Sequence, residues 1–203
     1  MDYRLYHWLN EVSEHHPWLG HAAATLESWS VPLFAFATLA LWLIARPGAD
    51  RKWKLACASA LASAALALLA TQAIAHAWSR ARPYAVHSDA TVFVARSHDP
   101  SFPSDHASAA FAIAVSVFLL DRLIGGIFLS GAAAIAIGRV VAGVHYPADV
   151  VAGALVGTAS ALIVLRFGRP LLDRIIRLVE RLTDPVLARV WRLRLTARKP
   201  ATD

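Results

Sequence analysis

The chain has 203 residues, of which 57% are hydrophobic and 17% charged, with a mean hydropathy of +0.48. An ordinary soluble domain is about 45–50% apolar and about 25% charged, so this composition excludes both a disordered chain and a typical soluble one and points to the membrane. The net charge of +6 sits entirely in the segment from Arg166 onward, which holds ten basic and four acidic residues; that asymmetry fits a basic tail at an anionic surface and not a nucleic-acid-binding body.

Ahead of the first apolar run, Leu5, Trp8, Leu9 and Val12 recur at helical spacing. They predict a short helix lying in the membrane interface, with Trp8 and Trp18 near headgroup depth; a soluble cap is the alternative. Residues 1–27 lack the basic start, short apolar core and small-residue cleavage site of a signal peptide, so the N-terminus is expected to be retained. Five apolar runs follow, at 29–45, 55–75, 107–120, 124–137 and 150–165. Set against the roughly 20 residues that cross a bilayer, they predict five transmembrane helices. The third and fourth runs are short, and residues 104–106 and 138–142 are expected to extend them as helix at their polar ends. The fold class is thus all-α, a polytopic membrane bundle of about five spans with interfacial helices at both termini. Its divisions are an N-terminal interfacial segment (1–27), a transmembrane body (28–166) and a basic amphipathic tail (167–203).

Segment 46–54 is a turn with four basic residues, and short basic loops stay cytoplasmic. Threading from there puts 77–103 and 138–147 outside and the tail inside, so the basic tail falls on the cytoplasmic side without having been used to orient the chain. Within the tail, Leu171, Leu172, Ile175, Ile176, Leu178, Val179 and Leu182 alternate with Arg169, Arg174, Arg177 and Arg181, the pattern of a basic amphipathic helix on membrane lipid. A solvated helix in a partner complex is the alternative. The single cysteine, Cys57, excludes an intrachain disulfide and a thiolate metal cluster.

Polar residues crowd the outer ends of the spans: His76, Arg80, Arg82-Pro83; Ser101-Phe102-Pro103-Ser104-Asp105-His106; and Arg139, His145, Tyr146-Pro147, Asp149. Two arginines, two histidines and an aspartate converging on one face suit a phosphate. Ser104 reads as a helix cap, which would aim backbone N–H groups and the positive end of the helix dipole at an anion. His106, in that first turn, is a candidate general acid. Asp149, one turn beyond His145, is placed to accept one imidazole N–H and leave the other nitrogen free to attack phosphorus. Metal ligation by the histidines is the rival reading, and two separated histidines beside two arginines fit phosphate better.

These three segments resemble the signature of the type 2 phosphatidic acid phosphatase superfamily: Lys, six residues, Arg-Pro; Pro-Ser-Gly-His; and Ser-Arg, five residues, His, three residues, Asp. Arg82-Pro83, Pro103-Ser104-x-His106 and Arg139, His145, Asp149 match in order and spacing. Within that superfamily, Ser-Phe-Pro-Ser-Asp-His and the Arg-x-Arg-Pro-aromatic motif look like the bacitracin-resistance type of undecaprenyl-diphosphatase. The resemblance implies that His145 forms a phosphohistidine, Asp149 orients it, His106 protonates the leaving oxygen and later helps activate water, and Arg82, Ser104 and Arg139 bind phosphoryl oxygens. It implies no catalytic metal and no cofactor. The substrate would be a lipid diphosphate in a bacterial inner membrane, hydrolysed on the outer face, with the C-terminus cytoplasmic. A phosphatidylglycerophosphate, phosphatidate or other lipid phosphate is the alternative substrate, and a non-enzymatic path for a phosphorylated lipid is the alternative role. The chain departs from the signature at three places. Ala75 stands where the family has Lys, so that either His76 or Arg80 can supply the missing charge; Gly138 replaces Ser, and Asp105 replaces Gly.

Overall fold

The computed structural model describes residues 2–45 and 51–196, and its regular structure is helical throughout. The elements are α1 (Asp2–His15), α2 (Pro17–Ile44), α3 (Arg51–Ala77), the single turn α4 (Pro83–Val86), α5 (Asp105–Leu120), α6 (Arg122–Val141), α7 (Pro147–Phe167) and α8 (Arg169–Thr196). Four helices, α2, α3, α6 and α7, are long and apolar enough to cross a bilayer, and α5 is an apolar helix of only 16 residues. The five expected spans are therefore present, one of them short. Each polar extension falls as expected, since α5 begins at Asp105 and α6 runs on to Val141.

Helix α5 is the hub, packed on α3, α6 and α7 and, less extensively, on α2. Its contact with α7 is made close by glycine: a Cβ on Gly153 would press on the Ser104 carbonyl, and one on Gly157 would meet the Ser108 carbonyl. The start of α5 is thereby held directly against the first turns of α7, which brings the second and third polar segments together. A core of Leu55, Ala60, Ala110, Ala114, Val117, Phe128 and Ile135 fills the middle of the bundle.

At one end of the bundle, α1 covers the loops that join the spans. Its inward side is polar and fully used: Asn10 exchanges hydrogen bonds with the Thr91 backbone (2.8 and 2.9 Å), Ser13 donates to the Val141 carbonyl (3.0 Å) and Tyr6 to the Gly143 carbonyl (3.3 Å). Its other side exposes Leu5, Trp8 and Val12. The helix thus combines the two readings of the sequence, a cap over the loops with an apolar outer face.

The opposite end carries an ionic clamp. Lys54, only 1% exposed, donates to Asp184 (2.6 Å) and Glu180 (3.1 Å) of α8, while Arg51 pairs with Asp173 (3.1 Å) and Lys52 with Asp121 (2.6 Å). The basic turn read as a topology signal is in part a set of docking points, although residues 46–50 lie outside the described residues. Leu172 and Ile176 of α8 join the bundle core, whereas Leu171, Ile175, Leu178, Leu182 and Val186 stay exposed beside Arg174, Arg177 and Arg181. Asp173, Glu180 and Asp184 turn inward and Arg174, Arg177 and Arg181 outward, so this part of the helix has two apolar flanks where the sequence shows a single stripe.

Candidate active site

The turn from α6 to α7 delivers His145. Gly143 takes a φ of +83°, the left-handed region that favours glycine, and reverses the chain so that Arg139 at the end of α6 faces the His145 ring. His145 and Asp149 are 1% and 0% exposed. Arg139 Nη2 donates to His145 Nε2 at 2.9 Å. Because a guanidinium can only donate, Nε2 must accept and the ring proton lies on Nδ1, which donates to the Ser101 carbonyl at 2.8 Å. The tautomer is thus the one that presents an Nε2 lone pair for attack.

Asp149 lies beside the His145 ring but does not accept its proton directly, as the spacing led us to expect it would. Its Oδ2 lies 3.7 Å from His145 Nδ1, beyond hydrogen-bond distance. The carboxylate instead accepts from the Ser101 hydroxyl (2.5 Å) and the Tyr146 amide (2.9 Å) through Oδ2, and from Arg80 (2.8 Å) through Oδ1. The physical reason is that Ser101 lies between them, its carbonyl holding the ring and its hydroxyl holding the acid. The pattern of residue types does not mark Ser101, because its decisive contact comes from the main chain.

The start of α5 is also arranged differently from expectation. Ser104 is the cap, its hydroxyl facing the Ala107 amide at 3.5 Å. The neighbouring amides do not point free at an anion: Ser104 N–H donates to the Asp149 carbonyl (3.0 Å) and His106 N–H to Asp105 Oδ1 (2.7 Å). The same Asp105 oxygen lies 3.0 Å from His106 Nδ1. Asp105, out of place by charge beside a phosphate, closes its own helix start and orients the His106 ring, leaving Nε2 for proton transfer.

Arg82, 8% exposed, is anchored through Nε to the Asp99 carbonyl at 2.9 Å. Arg80 is committed to the carboxylates of Asp149 and Asp2 (2.8 and 2.7 Å) and lies over the Tyr146 ring. Its charge is spent on these two carboxylates. His76 is exposed near the end of α3 and is not drawn into this cluster. Sequence reasoning missed Glu27 of α2, which forms an ion pair with Arg139.

Two cavities meet at His106. One, about 340 Å³, is lined by Val31, Phe34, Leu61, Leu68 and Ile113 of α2, α3 and α5 and ends at Asp105 and His106. The other, about 540 Å³, is bounded by His21, Glu27, Phe93 and Val94 as well as His106. An apolar slot and a polar chamber thus share His106.

Burial, reinforced by the charges of Arg139 and Arg82 and only partly offset by Asp149, pushes His145 down from 6.5 to about 4. The His145 ring therefore stays neutral through weakly acidic pH. The acidic limb of kcat/KM is expected near pH 4, not 6.5. Stability follows the same group. Between these two values the unfolded chain binds a proton that the folded one does not, so this contribution is complete above 6.5 and is lost as pH falls toward 4. A pH–rate profile of the detergent-purified protein checks the first point, and an acidic limb centred at 6.5 would contradict it.

The PAP2 superfamily matches residues 55–172, and the chain belongs to that family. It is a multi-pass membrane phosphatase by family and architecture. The chain is 25% identical over 183 residues to undecaprenyl-diphosphatase BcrC of Bacillus subtilis, covering 89% of this chain and 92% of that one. It is 42% identical over 86 residues to the bacitracin transport permease protein BcrC of Bacillus licheniformis, a match spanning 42% of each. Among solved structures, Aquifex aeolicus LpxE superposes with a TM-score of 0.58 at 22% identity, over 82% of this chain and 95% of that one. A PAP2-type phosphatidylglycerolphosphate phosphatase from Bacillus subtilis gives 0.54 at 24%, over 80% and 78%. These two share the fold.

Proposed function

We propose that this protein hydrolyses undecaprenyl diphosphate to undecaprenyl phosphate and phosphate, recycling a cell-wall lipid carrier without a catalytic metal. His145 Nε2 attacks the terminal phosphorus as the bond to the bridging oxygen breaks. His106 gives its proton to that oxygen, and undecaprenyl phosphate leaves. A water then attacks the phosphohistidine, surrendering a proton to His106, which releases phosphate and restores both rings. Arg82 and Arg139 offset the charge spread over the phosphoryl oxygens, where positioning and electrostatics supply most of the rate.

The observation that carries this reading is the apolar slot between α2, α3 and α5 that ends on His106. A prenyl chain lying there places its bridging oxygen at the proton donor. The likeness to undecaprenyl-diphosphatase BcrC of Bacillus subtilis supports the diphosphate as headgroup. The polar site sits at the end of the bundle opposite the basic clamp, and short basic segments stay cytoplasmic. Hydrolysis is accordingly assigned to the outer face of the bacterial inner membrane, with α8 on the cytoplasmic side and its exposed leucine and arginine flank against lipid headgroups.

The test is phosphate release by the purified protein, with chelator present, from undecaprenyl diphosphate beside phosphatidylglycerophosphate and phosphatidate. Preference for the diphosphate is expected. Equal or faster turnover of the glycerolipids would keep the mechanism and replace the substrate, and no release from any of them would remove the enzymatic reading.

A further inference from the structure

Arg139 holds a position that phosphoryl transfer cannot tolerate. Its Nη2 donates to Nε2 of His145, the lone pair that must reach phosphorus, and its Nη1 is tied to Glu27 Oε1. The guanidinium is 3% exposed, and two atoms of this ion pair, Arg139 Nε and Glu27 Oε2, are buried without hydrogen-bond partners. Glu27 reaches the arginine because α2 packs on α6 one residue away, where a Cβ on Gly138 would sit in ordinary contact with Leu26 and Ala23. It also lines the polar chamber that contains His106.

We propose that Glu27 is a positioning residue whose carboxylate takes the place of the phosphoryl group, holding Arg139 against the nucleophile until substrate displaces it. This rests on the reading of the site as a lipid diphosphatase and names how it is loaded and cleared. A carboxylate and a phosphoryl group are rival partners for the same guanidinium, and the planar fork of Nε–H and Nη–H binds best when two oxygens meet it in parallel. Glu27 engages Nη1 and leaves Nε bare. An incoming phosphoryl group can take Nη1–H and Nη2–H side by side, so exchange replaces a single contact by a bidentate one and draws Nη2 away from His145. After hydrolysis the order reverses: Glu27 reclaims Arg139 and drives phosphate out.

The experiment is a calorimetric titration of inorganic phosphate into the detergent-purified full chain, wild type and Glu27→Gln, which reads anion affinity without requiring turnover. The glutamine keeps the shape and loses the competing charge, so phosphate is expected to bind about tenfold tighter, with KM for the lipid diphosphate and kcat falling together as product leaves slowly. Glu27→Asp, which retains the carboxylate, is expected to return affinity toward wild type. Glu27→Ala carries the same sign as Gln and replaces it should that chain fail to fold. Unchanged or weaker phosphate binding in the charge-removing variants, or no binding to any form, would overturn the proposal. Failure of the wild type to release phosphate from lipid, with the affinity shift intact, would overturn the substrate assignment alone.

Discussion

Replacing His145 by alanine is expected to lower phosphate release from the lipid diphosphate by about 10⁴-fold or more while leaving lipid binding in place. The nucleophile is lost outright, and the residual rate is what the arginines and the closed site sustain by binding alone. The imidazole is set up for one act: its Nδ1 proton is held by the Ser101 carbonyl, and burial keeps it uncharged. Single-turnover quenching with substrate labelled in its terminal phosphate should trap an acid-labile, base-stable phosphoprotein in the wild type and none in the variant. A labelled adduct surviving in His145→Ala would move the nucleophile elsewhere.

His106→Ala should discriminate between substrates as well as slow the reaction. General-acid assistance is worth about 10²–10⁴-fold, and the need for it grows with the basicity of the leaving oxygen. A diphosphate expels a phosphate monoester, whose second pKa is about 6, whereas phosphatidate expels an alkoxide that must be protonated as it leaves. The loss is therefore expected near 10² for undecaprenyl diphosphate and near 10⁴ for any turnover of a glycerolipid monoester. Equal losses on both would mean that His106 acts on binding and not on the leaving group.

How much of this was legible beforehand depended on whether a residue acts through its side-chain type or its surroundings. Arg82, Ser104, His106, Arg139, His145 and Asp149 could be picked out as candidates because phosphoryl chemistry wants those types at fixed separations, and the spans were readable because hydrocarbon demands apolar runs. Ser101 stood in the second polar segment, but its contact with the His145 ring was not legible, because a backbone carbonyl makes it and any residue supplies one. Glu27 belongs to no spaced motif and meets Arg139 only because α2 folds back on α6. Asp105 looked misplaced by charge until its local turn onto His106 was seen. The tail's stripe announced a surface helix but hid its second flank, since one apolar run in sequence cannot say how much of it a bundle will cover.

The shortness of α5 bears on how a lipid with a very long tail is handled. Sixteen residues make a helix of about 24 Å, less than the roughly 30 Å of hydrocarbon that its neighbours cross. In the proposed orientation, with its far end at the ionic clamp where Asp121 meets Lys52, its catalytic end would lie some ångströms below the outer hydrocarbon boundary. The protein thus brings water and charge down to the lipid instead of lifting the lipid out. On the proposed reaction, a carrier lipid would slide in sideways between α2 and α3, dip only its diphosphate into the depression, and return to the bilayer one phosphate lighter without its chain ever having left oil.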